Sequence, residues 1–142
     1  MHEINFFFED TPEITIPSEI LSGWLNHVTN VEGSCIDTLN YIFCSDEHLY
    51  QINIKYLHHD YYTDVITFDN SEGSGKIEGD IFISTDRVAE NAKSHNANFH
   101  EELRRICVHG LLHLLGYSDG TNEDKLLMTE KENAYLSLPQ FQ

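Results

Sequence analysis

Two histidines, His109 and His113, interrupt an otherwise apolar run in the segment CVHGLLHLLGYSDGT, residues 107–121. A four-residue spacing puts both side chains on one helical face, one turn apart. Two imidazoles so placed can converge on a single metal ion, as in helical zinc sites. Gly116 follows as a left-handed helix stop, and the chain can turn back there to bring Asp119 up as an oxygen ligand. Two nitrogens and one carboxylate leave a fourth tetrahedral position for water, the pattern of catalytic rather than structural zinc. The competing reading is a pair of core histidines satisfied by hydrogen bonds. Nine histidines among 142 residues supply roughly half of one such pair by chance. Context favours the metal: both histidines sit in a helix that is apolar almost all round, with a glycine turn and a carboxylate directly after it.

The helix that carries them, Phe99 to Leu115, is apolar enough to be central and buried (Ile106, Val108, Leu111, Leu112, Leu114, Leu115). The elements around it follow from pattern. Ile4–Phe8 is a short apolar run closed by Glu9, Asp10 and Pro12, a strand signal. From Ser18, the stripe Ile20, Leu21, Trp24, Leu25, Val28 is that of an amphipathic helix, stopped at Glu32-Gly33. Leu39–Cys44 reads as a second strand. Ser45 or Asp46 then opens a helix with Leu49, Ile52, Asn53 and Tyr56 on one face. Thr63–Phe68 and Ile77–Ser84 are β-branched and aromatic, hence two more strands, joined through the polar loop Asn70–Lys76. Thr85 or Asp86 opens a helix towards Ser94, and the last helix fits Asn122–Leu136. The expected fold is α+β: about four strands in a mixed sheet packed with about five helices, in one domain over residues 1–142.

Composition limits the partners. Eight Lys and Arg against 24 Asp and Glu give 8 − 24 = −16. This argues against an indiscriminate nucleic-acid or anionic-membrane binder, which needs a basic surplus to displace counterions. A polyanionic substrate then requires a local site or a bound cation that reverses the field. No apolar run approaches the roughly 20 residues of a membrane span. The N-terminus lacks a basic region and a signal-length apolar stretch. Cys35, Cys44 and Cys107 are odd in number and outside CxxC spacing, so they read as reduced core thiols of a cytoplasmic protein.

The segment HGLLHLLGYSDGT resembles the HGxLHLxGYDH signature of the YbeY family, bacterial metal-dependent endoribonucleases of ribosomal RNA maturation. Thr63–Phe68 (TDVITF) resembles the family's TDVLSF strand, and Gly79–Ser84 (GDIFIS) its GDIxIS strand. Ile52-Asn53 with Tyr56 is similar to the LNxxYR helix upstream. Order and separation agree from Glu47 to Leu136. The resemblance implies a single-strand-specific endoribonuclease that matures the 3′ end of small-subunit rRNA and acts in ribosome quality control. It implies one Zn²⁺ per chain on His109, His113 and Asp119, with a metal-bound water in catalysis. The implied partners are single-stranded or ribosomal RNA and the ribosome or its proteins, with no membrane.

Two departures bear on this. The family's third histidine falls on Asp119, a harder and anionic ligand that makes bound water less acidic. Its LNxxYR arginine, implied to engage RNA phosphate, is Leu57, with His58 and His59 directly after as weak, pH-dependent substitutes. Thr63, Asp64 and Asp80 read either as edge and turn residues or as the lining of a cleft over the metal. Arg104 and Arg105 read as an exposed helix face, with phosphate contact as the alternative. Two other functions compete. A zincin-like metalloprotease also uses paired helical histidines, but the glutamate base of HExxH is Gly110 here. A non-enzymatic, ribosome-associated protein with a structural metal would lose stability, rather than activity alone, when the metal is removed.

Overall fold

The computed structural model describes residues 3–141. Its elements run β1 (Glu3–Glu9), α1 (Ser18–Val31), β2 (Ile36–Cys44), α2 (Asp46–Leu57), β3 (Val65–Asp69), β4 (Ile77–Ser84), α3 (Thr85–Ser94), α4 (Phe99–Leu114) and α5 (Asn122–Leu136), with a short 3-10 turn at Pro139–Phe141. The four strands form one sheet in the order β1-β2-β4-β3. β1, β2 and β4 are parallel, while β3 pairs antiparallel with β4 through the polar loop. The sheet is mixed and the fold α+β, as the pattern predicts.

Alternation along the strands divides the molecule into two layers. Leu39, Tyr41 and Phe43 of β2 and Ile81 and Ile83 of β4 point into the main core, against Trp24 and Leu25 of α1 and Leu111 and Leu112 of α4. Two hydrogen bonds pin this layer at buried polar tips. The Tyr41 hydroxyl donates to the Cys107 carbonyl of α4 at 2.8 Å, and the Trp24 indole N–H to the Tyr135 carbonyl of α5 at 2.9 Å. On the opposite sheet face, α2 covers one corner with Leu49 and Ile52 over Cys44 and Ile66. Beyond that corner a polar ladder crosses the strands. Asn5 donates to Asn40, and Asn40 and Asn70 both donate to Asp80.

The starts of α2 to α5 are capped by short polar side chains that accept a backbone N–H of the first turn: Ser45 for α2, Ser84 for α3, Asn98 for α4 and Thr121 for α5. α3 opens at Thr85, as the sequence pattern suggests, with Ser84 as its cap. Tyr56 departs from its expected place, because it is 58% exposed and meets the sheet only edge-on at Phe68. α2 ends one residue after it, with His58 left-handed (φ 57°).

The site depends most on how closely α4 lies on β4. A Cβ added at Gly110 would come within 2.9 Å of Ile81 Cγ2, so the absence of a side chain there sets the helix–sheet distance. Gly116 (φ 106°) then takes the backbone out of α4 in a conformation that side chains rarely adopt, and so directs residues 117–119 back over the helix end.

Candidate metal centre

His109 and His113 lie in the last turns of α4 with their rings edge to face, centroids 4.6 Å apart. Their Nε2 atoms are 3.0 Å apart. Asp119 Oδ2 lies 3.6 Å from His109 Nε2 and 3.4 Å from His113 Nε2. With bonds of roughly 2.0–2.2 Å, a tetrahedral ion spaces its ligands about 3.3–3.6 Å apart. The two sides to Asp119 match one tetrahedral face, and the His–His side is somewhat shorter. Among the described residues this triangle is also the group of three His, Cys, Asp or Glu side chains close enough to share an ion.

Tautomers support the fit. His113 Nδ1 is 3.0 Å from the Tyr117 carbonyl, which can only accept, so Nδ1 carries the proton. His109 Nδ1 is 2.7 Å from Glu132 Oε2 and donates to that carboxylate. Both Nε2 lone pairs therefore face each other at contact distance, an arrangement that needs a cation or a shared proton between them. Burial pushes the His109 imidazole down. The Glu132 hydrogen bond and the charges of Glu132, Asp64 and Asp119 outweigh burial and hold it above its ordinary value. The field that strengthens proton binding there favours a divalent cation in the same way.

Glu132 was not legible as a site residue. It is buried on α5, and its second oxygen accepts from Arg105 Nη1 at 2.9 Å. Arg105 in turn donates to Asn133 at 2.8 Å. This corrects the reading of Arg104 and Arg105 as a solvent-facing pair. Arg105 is tied into the ligand support, and the Arg104 guanidinium lies over the Trp24 ring, 4.6 Å from its centroid. Burial lowers the Arg104 pKa, and its Nη2 is buried without a hydrogen-bond partner.

A cavity of about 320 Å³ opens beside the cluster, lined by Asp64, His95, Arg105, His109, Asp119 and Lys125. A broader depression of about 910 Å³ adjoins it along α4 and α5 and shares His95, Glu102 and Arg105. Asp64 thus lines the site. Asp80 does not, because it points to the polar ladder on the other sheet face while its neighbour Ile81 meets Gly110. Thr63 bonds the Val65 carbonyl at the start of β3 (3.4 Å), an edge role. Leu57 packs into the small cluster under α2, and His59 stacks on Tyr61.

Fold and cluster together define an α+β protein whose central helix carries a candidate His–His–Asp metal centre. The family model for endoribonuclease YbeY matches residues 7–139. The chain is 54% identical over 138 residues to the endoribonuclease YbeY of Cytophaga hutchinsonii, covering 97% of this chain and 96% of that protein. It is 43% identical over 136 residues to that of Christiangramia forsetii, covering 96% and 94%. The solution structure of TM1509 from Thermotoga maritima superposes with a TM-score of 0.66 at 27% identity, over 97% of this chain and 88% of that one. The chain belongs to the endoribonuclease YbeY family. No helix among the described residues is long and apolar enough to cross a membrane.

Proposed function

We propose that the chain is a metal-dependent endoribonuclease of single-stranded RNA, acting in maturation of the 3′ end of small-subunit rRNA and in ribosome quality control. In this reading one zinc ion per chain binds His109, His113 and Asp119. The observation that carries it is the ligand triangle with both Nδ1 atoms already engaged, in a chain of this family. When bound, the ion supplies Lewis-acid polarisation of a phosphoryl oxygen and lowers the pKa of a coordinated water. The chain's own residues do the rest. Glu132 and the Tyr117 carbonyl hold the two imidazoles in the tautomer that aims Nε2 inward. Arg105 occupies the other Glu132 oxygen and keeps that carboxylate out of the ligand set. Lys125 gives the cavity a cation for substrate phosphate.

Three protein ligands and an adjoining cavity support a catalytic over a structural metal, since structural sites close with four. The protease reading lacks its base, as Gly110 packs on Ile81 and carries no side chain. The charge of −16 disfavours tight binding of RNA by this chain alone and supports a role for the ribosome or its proteins in presenting substrate. A cytoplasmic location belongs to the same reading. The test is metal content of the purified protein together with cleavage of single-stranded ribosomal RNA, with and without chelator. The expected result is about one zinc per chain, chelator-sensitive cleavage, and an empty site in the His109→Ala, His113→Ala double variant. Stoichiometric metal retained by that variant overturns the ligand assignment.

A further inference from the structure

The segment between α2 and β3 presents aromatic rings to solvent and leads into Asp64, which lines the cavity at the candidate metal centre. Tyr62 precedes Asp64 by two residues, which limits their Cα separation to about 7 Å, and Asp64 lines the cavity shared with His109 and Asp119. The rings are held in place. Tyr62 stacks on Tyr50 (4.2 Å between centroids, 12° between planes), donates its hydroxyl to Glu47 and lies under Arg87. Tyr50 donates to Asp60. With neighbours on its ring and hydroxyl, Tyr62 is the pillar of the loop. Tyr61 is different. One face lies on His59 (5.1 Å, 18°), its hydroxyl is bonded to His59 Nδ1, and 54% of the residue remains exposed. Tyr56 touches Phe68 only edge-on, so its ring is also open to solvent, with Lys55 Nζ 5.3 Å from its centroid.

Large exposed rings fixed by their own hydroxyls and neighbours lose little freedom on binding, which suits them to stacking. The charge balance says what can use them. A chain at −16 has few cations with which to hold phosphates, so contacts to the bases add affinity that Lys125 and the metal site do not supply along the strand. Every base has a π face, and stacking on an aromatic ring is tolerant of sequence. We propose that Tyr61 is a stacking platform for the bases of single-stranded RNA, on the loop that leads into Asp64 and the metal-centre cavity. This rests on the ribonuclease reading above and adds how the strand is held.

The test uses the full chain with its metal and two octamers on a 2′-O-methyl backbone, one carrying adenine and one abasic, with binding read by fluorescence anisotropy and oligomer integrity by gel. The wild-type chain should prefer the adenine octamer. Tyr61→Ala should weaken binding of that octamer by roughly 5- to 150-fold, the range for one lost base–aromatic stack, and leave abasic binding unchanged. Tyr61→Phe, which keeps the ring on His59 but loses the hydroxyl bond, should retain most of the preference for the adenine octamer. A Tyr61→Ala loss equal on both octamers, or absent from both, overturns the platform. A platform for a protein segment in place of RNA would give the second of these results. Cleavage of unmodified single-stranded RNA by the same preparations separates the two readings. Chelator-sensitive cleavage without base selectivity removes only the platform, while no cleavage by the wild-type chain removes the ribonuclease reading beneath it.

Discussion

Two largely buried glutamates flank the turn after α4, and they differ in what satisfies them. Glu132 is held by His109 and Arg105, one a candidate ligand and the other a full charge. Glu32, at the end of α1, accepts from the hydroxyls of Tyr117 and Tyr135 and from Lys131 at 3.1 Å. Burial pushes the Glu32 carboxyl up, but those three donors and the Lys131 charge outweigh it and hold it below its ordinary value. The two carboxylates stand at different removes from the candidate ligands. Glu132 acts on His109 directly, whereas Glu32 acts on His113 through the residue whose carbonyl receives its proton. The comparison teaches that a carboxylate near a metal can orient a ligand or merely clamp the backbone that carries one, and that the partner's ability to titrate distinguishes these roles.

The largest effect expected is from metal removal. Chelation should abolish cleavage while the circular dichroism of the fold persists, because the core under α4 is formed by Leu111, Leu112 and the sheet rather than by the ion. Global unfolding on chelation would mean a structural metal.

Next, Glu132→Gln should weaken zinc binding by about 10- to 100-fold, the usual consequence of losing the carboxylate behind a ligating histidine. Glu32→Gln should change it by much less. Competition with a fluorescent chelator measures both, and equal losses would break the comparison.

Glu32→Gln should instead cost stability, by about 1–3 kcal/mol at neutral pH for a buried acceptor with charged and phenolic donors. Because the folded carboxyl titrates below its unfolded value, this stability is fully present above the unfolded pKa and is lost as pH falls through the folded one. Denaturation midpoints of wild type and variant should therefore converge under acid. A gap that stays constant down to the acid transition would remove Glu32 from the pH dependence.

The smallest effect sharpens the distinction. Tyr117→Phe removes one donor to Glu32 and leaves the backbone carbonyl that accepts from His113. It should cost about 0.5–1.5 kcal/mol of stability with zinc affinity unchanged. A loss of affinity like that of Glu132→Gln would show that the clamp also orients the ligand.

His109, His113 and Asp119 were legible because their grouping is local: one helical turn, one glycine, one short return of the chain. The elements were legible for the same reason, through period-two strands and the stripe on α1. Glu132 was not, since its role depends on α5 docking against α4, and no spacing records a contact across 23 residues. Arg104 and Arg105 were misplaced by the same gap, because Trp24 and Glu132 come to them from other helices. Asp80 illustrates the reverse. Its strand parity was visible, but which sheet face α4 would cover was not.

The polar ladder on the far sheet face has a consequence for strand assembly. Along β1, Ile4, Phe6 and Phe8 pack against the main core, while Asn5 and Phe7 take the other side. Sliding β1 by two residues against β2 keeps the same side inward and replaces one aromatic ring by another, so hydrophobicity hardly resists it. The Asn5–Asn40 amide pair does, since the slip would set Phe7 or Glu3 opposite Asn40. Asn5→Ala should accordingly give doubled β1 amide resonances, and a single set would assign alignment to the rings alone. The ladder works as a key that admits one alignment of an edge strand whose own greasy residues are nearly interchangeable.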